Sequence, residues 1–229
     1  MASLERGEVD MEAGTSLNLT HIVRVSREGS GERGSPGLLL LHGRGADEAD
    51  LMGVEGALDP RLTVISARAP FKLGYGYAWY GMARVGSPED ETLRASLGEL
   101  HEFVQGIVPA YRLDPAGLFV MGFSQGAVMS AAVSLTMPGR VRGVVMHSGY
   151  VPVEAGLDFK VEEAAGLPFF VAHGLYDEVI PVRFGREAHE YLGGIGAEVA
   201  YREYPIGHSI SEESLDDLSE WLTNKINGI

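Results

Sequence analysis

Gly117-Leu-Phe-Val-Met-Gly-Phe-Ser-Gln-Gly126, with the small-residue run 127–135 behind it, decides how the rest of this chain is read. Residues 118–121 form an apolar run of strand length, and residues 127–135 read as a helix. Between them, Gly122-Phe-Ser-Gln-Gly126 sets a serine at the tip of a strand–turn–helix. The backbone there must be strained for the hydroxyl to project from the edge of the sheet. Glycines two residues to either side leave room for the turn, because a Cβ at Gly122 or Gly126 is expected to collide with the neighbouring strand or helix. The helix that begins at the serine aims its free N–H groups and positive dipole end at the same spot, where an oxyanion would form. With 31 glycines in 229 residues, the five-residue pattern alone can arise by chance. The flanking strand and helix are much harder to obtain that way, and they mark Ser124 as a nucleophile.

Outward from this stretch, short apolar runs alternate with helical patterns. Residues 17–26 partly alternate and predict an antiparallel edge strand, and 38–41 is a continuous apolar run suited to a fully buried strand. Residues 47–57 read as a helix and 62–65 as a short strand. Residues 66–90 form a long irregular stretch in which glycines and prolines interleave with Phe71, Tyr75, Tyr77, Trp79 and Tyr80, and loops of that length are usually functional. A helix is predicted over 91–112, bent or ended early by Pro109, after which Asp114-Pro115 turns the chain into the serine strand. Strands are expected at 141–146, 168–172 and 198–203, and helices at 183–192 and 211–225. Residues 150–166 read as a surface excursion too short for a large lid. Such alternation predicts an α/β fold, a mostly parallel sheet with helices on both faces and little or no cap. Residues 1–16, polar and acidic, are expected to be a flexible tail, and 17–229 a single domain.

Composition narrows the function classes. Apolar residues make up 45% of the chain, enough for one sizeable core. A formal charge of −14 repels phosphate backbones and anionic bilayers, so neither nucleic acid nor stable membrane association is expected. The absence of cysteine excludes disulfides, cysteine catalysis and thiolate metal sites. No apolar run approaches a membrane span, and the first ten residues lack a basic and apolar leader, so a cytoplasmic protein is expected.

A serine hydroxyl is a weak nucleophile at neutral pH and needs a base, itself oriented by a carboxylate. In this architecture the chain order should be serine, acid, histidine, with acid and base in loops after later strands. Asp177 and His208 satisfy that order, and their loops belong to the carboxyl edge of the sheet, where ligands bind. Taken alone, Asp177 also suits a helix cap and His208 a surface loop. His42, His147 and His173 compete for the role of base, but all three precede the acid and end strands, where loop-orienting hydrogen bonds are the commoner use. Zinc would need them to converge, and no His-x-His or His-x-x-x-His pair supports it; no metal or cofactor is expected. Gly43-Arg44-Gly45 follows the first buried strand, where a second oxyanion donor is expected; the amides of Arg44 and Gln125 are the pair. Trp79, Tyr80 and Met82 either wall the substrate pocket or pack the aromatic loop down.

Leu41-His-Gly-Arg-Gly45, Ala78-Trp-Tyr80, Gly122-Phe-Ser-Gln-Gly126, Ser148-Gly-Tyr150, His173-Gly-x-x-Asp177 and Gly207-His208 together resemble the phospholipase/carboxylesterase branch of the α/β-hydrolases, which includes bacterial carboxylesterases and acyl-protein thioesterases. The resemblance runs from about residue 37 to the C-terminus. It implies Ser124, Asp177 and His208 as a catalytic triad, the Arg44 and Gln125 amides as oxyanion hole, and often a homodimer. Two positions depart from it: Arg44 stands where the family often has leucine, and Gly81 where an acidic residue often follows the aromatic pair. The expected activity is hydrolysis of short- to medium-chain carboxylic esters through an acyl-enzyme. Thioester or lysophospholipid hydrolysis on the same triad is an alternative, and a catalytically silent ligand receptor is the non-enzyme alternative.

Overall fold

Residues 17–28 and 32–228 are described by the computed structural model. The tail expected over 1–16 lies outside the described residues. In chain order come strands β1 (His21–Arg24) and β2 (Ser35–Leu41), a 3-10 helix (Asp50–Ala57) and β3 (Thr63–Ala67). Two small hairpins follow, β4 (Phe71–Leu73) with β5 (Gly76–Ala78) and β6 (Met82–Arg84) with β7 (Ser87–Pro88). Helix α1 (Asp90–Ala110), β8 (Leu113–Phe123), α2 (Gln125–Thr136), β9 (Gly143–His147) and β10 (Pro168–Gly174) lead to α3 (Arg183–Gly194), β11 (Glu198–Tyr204) and α4 (Glu212–Ile226).

Seven strands make one sheet in the order β1-β3-β2-β8-β9-β10-β11. β1 is antiparallel at the edge, and every other neighbouring pair is parallel. Side chains alternate along a strand, so each apolar run feeds two cores. Leu39, Leu41 and Val120 pack with α1, α2 and α3 on one face, while Leu38, Leu40 and Met121 pack with α4 and the 3-10 helix on the other. Each such leucine, fully buried, contributes about 1.5–3 kcal/mol relative to exposure.

The helices form for visible reasons. Leu93, Leu97, Leu100, Phe103, Val104 and Ile107 recur at helical spacing on α1, and all are buried. Pro109 occupies its last turn, and the helix stops one residue later, at Ala110. From Gln125 to Leu135 every residue of α2 is buried, and its alanines let it approach both the sheet and α1. Helix α4 opens with a reciprocal cap: Ser211 Oγ accepts from the Ser214 N–H at 3.1 Å, and Ser214 Oγ accepts from the Ser211 N–H at 2.9 Å. No helix among the described residues is long and apolar enough to cross a membrane.

The fold differs from the sequence expectation in four places. The helix expected over 47–57 is a 3-10 helix over Asp50–Ala57; Gly53 and Gly56 weaken an α-helix already short for its nucleation cost. Residues 66–90 hold two hairpins, whose two- and three-residue strands are too short to leave an alternating signature. Asp114-Pro115 lies inside β8, which starts at Leu113, although Asp114 Oδ1 still turns the chain locally by accepting from the Ala116 N–H at 2.9 Å. The pairing with β2 shifts there, from Ser35 opposite Leu113 to Gly37 opposite Leu118. Finally, the 150–166 segment is more than a surface excursion: Tyr150, Val151, Ala155 and Ala164 are buried.

Candidate active site

Ser124 connects β8 to α2 with φ 56° and ψ −120°, a conformation that an L-residue adopts only under constraint and that costs on the order of 1–3 kcal/mol. The constraint is local. Its N–H donates to His147 O at 3.0 Å, and its own carbonyl accepts from the Ala127 and Val128 amides. The flanking glycines are required by contact. A Cβ at Gly122 would lie 2.1 Å from the Gly126 carbonyl carbon, and one at Gly126 would lie 1.8 Å from Leu41 O. The first collision is with the helix, the second with the neighbouring strand.

Two loops at the same sheet edge meet the serine. The loop after β10 carries Asp177 and the loop after β11 carries His208. They are stitched together by Leu175 N–H to Tyr204 O at 2.8 Å and Tyr176 N–H to Ile206 O at 2.9 Å. Asp177 is buried, and its Oδ1 accepts from the Val179 and Ile180 amides at 2.9 and 2.8 Å. Its Oδ2 accepts from His208 Nδ1 at 2.7 Å, while His208 Nε2 lies 2.9 Å from Ser124 Oγ. The carboxylate can only accept, so the proton is assigned to Nδ1 and the Nε2 lone pair faces the hydroxyl. The His208 side chain is 16% exposed, with its ring 4.7 Å from that of Phe123.

Two backbone amides next to the serine have no partner among the described residues. Gly43 packs so close that a Cβ on it would sit 3.4 Å from Ser124 Cβ, which brings the turn holding Arg44 against the serine. Among the described residues the Arg44 N–H has no partner, and Gln125, first residue of α2, has an N–H that the helix cannot use. The Gln125 side chain does something the sequence did not signal. Its Oε1 accepts from the Trp79 N–H at 3.1 Å and its Nε2 donates to Tyr80 O at 2.9 Å, pinning the aromatic loop to the serine helix.

A cavity of about 300 Å³ opens beside Ser124, lined by Arg44, Tyr80, Met82, Val85, Tyr150 and Val179 among others. Tyr80 and Met82 line this cavity. Trp79 does not. It is fully buried under the loop, and its indole N–H donates to His42 O at 2.9 Å, so its place is in packing rather than in the cavity wall. Val85, Tyr150, Val179 and Ile180 complete the wall without having been singled out as wall residues. Only Tyr150 had any signal, through the Ser148-Gly-Tyr150 motif.

Residues 28–226 match the Phospholipase/Carboxylesterase family. The chain belongs to this family. Relatives are distant: it is 28% identical over 167 residues to the probable carboxylesterase SOBER1-like of Arabidopsis thaliana, a match covering 69% of this chain and 63% of that protein's length. It is 25% identical over 225 residues to acyl-protein thioesterase 1 of Candida albicans, covering 88% and 96% of the two chains. The solved carboxylesterase of Bacillus cereus superposes with a TM-score of 0.80 at 25% identity, over 91% of this chain and 95% of that one. The fold is therefore that of the α/β-hydrolases, and the relatives support a hydrolase of the carboxylesterase and thioesterase kind.

Within this phospholipase/carboxylesterase frame, the other strand-end histidines are occupied. His42 Nδ1 donates to Gly43 O at 2.7 Å and its Nε2 accepts from the Ala69 N–H at 3.0 Å. His173 Nε2 donates to Ile180 O at 2.7 Å, and His147 Nε2 pairs with Ser214 Oγ at 3.1 Å. Burial lowers the pKa of all three, that of His147 to about 3, so they stay neutral at physiological pH. His101 bonds Thr136 Oγ1, and His189 stacks on Tyr201.

Proposed function

We propose that the protein is a serine carboxylester hydrolase acting on short- to medium-chain esters. The observation that carries this reading is the relay Asp177–His208–Ser124 at 2.7 and 2.9 Å, ending on a serine held at positive φ. His208 Nε2 takes the proton as Ser124 Oγ attacks the ester carbonyl, and Asp177 holds the ring and stabilises its charged form. The carbonyl oxygen becomes an oxyanion facing the Arg44 and Gln125 amides, a contribution of about 3 kcal/mol per donor in comparable sites. As the tetrahedral intermediate collapses, His208 returns the proton to the departing alcohol. Water then enters, gives its proton to His208 and attacks the acyl-enzyme; collapse frees the acid and restores the serine. These steps need no cofactor.

The same chemistry cleaves thioesters, and the near full-length relation to a thioesterase favours that as the second reading. The test is a panel of p-nitrophenyl esters from acetate to palmitate with a palmitoyl thioester alongside, wild type beside Ser124→Ala. Hydrolysis of short chains that disappears in the variant is expected. Activity confined to the thioester would move the assignment to a thioesterase, and silence from folded protein would leave a ligand receptor.

A further inference from the structure

Charge around the serine is lopsided. The cavity beside Ser124 has one charged residue in its wall, Arg44; the others, Tyr80, Met82, Val85, Tyr150, Val179 and Ile180 with Gln125, carry none. Five guanidinium groups elsewhere are neutralised by carboxylates: Arg24 and Arg27 by Glu55, Arg61 by Asp59, Arg68 by Glu48 and Arg186 by Glu203. Arg44 is exposed and has no ion pair or side-chain hydrogen bond among the described residues. The two nearest carboxylates that follow it in sequence are engaged, Asp47 with the Ala49 N–H at 2.9 Å and Glu48 with Arg68.

The far side of Tyr150 has the opposite sign. A second cavity of about 320 Å³ shares that tyrosine and is rimmed by Asp90, Glu154 and Glu187. An anionic substituent pointing that way would be repelled. Toward Arg44 it would meet an unpaired guanidinium, whose planar fork matches a carboxylate with two parallel hydrogen bonds. The net charge of −14 does not cancel this, because charges more than about 8 Å away are screened at physiological salt while a contact is not.

We propose that Arg44 is a specificity-determining residue that selects esters carrying a carboxylate a few bonds from the scissile carbonyl. The inference rests on the esterase reading above and narrows its substrate class. The side chain discriminates while the backbone N–H of the same residue faces the oxyanion, so the two roles separate by substitution. The carboxylate can belong to the acyl half, as in a monoester of a dicarboxylic acid, or to the alcohol half.

The experiment compares kcat/KM for two matched pairs: monomethyl glutarate against methyl pentanoate, and 4-acetoxybutanoate against butyl acetate. Wild type, Arg44→Met and Arg44→Lys are assayed with each. In at least one pair the charged-to-neutral ratio should fall about tenfold from wild type to Arg44→Met, with Arg44→Lys between them. The pair that responds tells which half carries the charge. A ratio unchanged within twofold in both pairs overturns the proposal while leaving the esterase reading intact. Should folded wild type hydrolyse none of the four, the p-nitrophenyl panel decides the esterase reading and glutarate binding to Ser124→Ala by calorimetry decides the anion site. Loss of that binding in Ser124→Ala with Arg44→Met supports it, and equal binding overturns it.

Discussion

His208 and His173 flank the same carboxylate, yet their surroundings set them to different work. His208 stands on a loop, 16% exposed, with Nδ1 2.7 Å from Asp177 Oδ2 and Nε2 turned to the serine hydroxyl. His173 is fully buried at the end of β10, 3.6 Å from the same oxygen. Its Nε2 proton goes to Ile180 O, and its Nδ1 has no partner among the described residues, facing Gly185 where a Cβ would come within 2.6 Å. Burial lowers its pKa. A histidine that shuttles protons needs a close carboxylate for its charged form and a path for substrate and water. His173, farther from that carboxylate and sealed among backbone groups, lacks the path and becomes a brace for the loop that positions Asp177.

Replacing the half-buried His208 ring should have the largest effect. In His208→Ala the turnover of a p-nitrophenyl ester should fall by about 10⁴–10⁶, while the thermal midpoint moves little. Asp177→Asn should cost roughly 10⁴ in kcat, because the amide favours the wrong imidazole tautomer. His173→Ala should reverse the balance: a loss of about 2–4 kcal/mol in urea unfolding, from the cavity and the abandoned Ile180 carbonyl, with kcat reduced no more than about tenfold. Equal loss of turnover in folded His173→Ala and His208→Ala would break the distinction.

The smallest effect concerns pH. His147 titrates at about 3 in the folded protein, and His42 and His173 are also depressed by burial, against about 6.5 when unfolded. Below 6.5 the unfolded chain therefore binds more protons, so stability is complete above that value and declines as pH falls toward 3. Stability from urea unfolding measured from pH 7 to 5 should drop, with His147 alone contributing a limiting slope of about 1.4 kcal/mol per pH unit. His147→Gln should remove that contribution and flatten the slope.

How much of this was legible in the sequence depended on whether the cause was local. Ser124 was readable because the glycines around it answer to contacts within the motif and to the adjacent strand. Asp177 and His208 followed from chain order, and the sheet topology brings their loops together. Trp79 and Tyr80 were not separable. They are neighbours in one loop, and which ring meets the cavity depends on Gln125 and the His42 carbonyl, 46 and 37 residues from Trp79. Val179 and Ile180 reach the wall because the Asp177 carboxylate folds the following amides around itself, and no periodicity announces that.

All of the proposed chemistry turns on Ser124 acting as a nucleophile activated by His208. Intact-mass measurement after treatment with a fluorophosphonate tests it directly. One adduct is predicted on the wild type, mapped to Ser124 by peptide analysis, with none on Ser124→Ala and labelling slowed by orders of magnitude on His208→Ala. An unlabelled but folded wild type, or equal labelling of Ser124→Ala, would contradict the account.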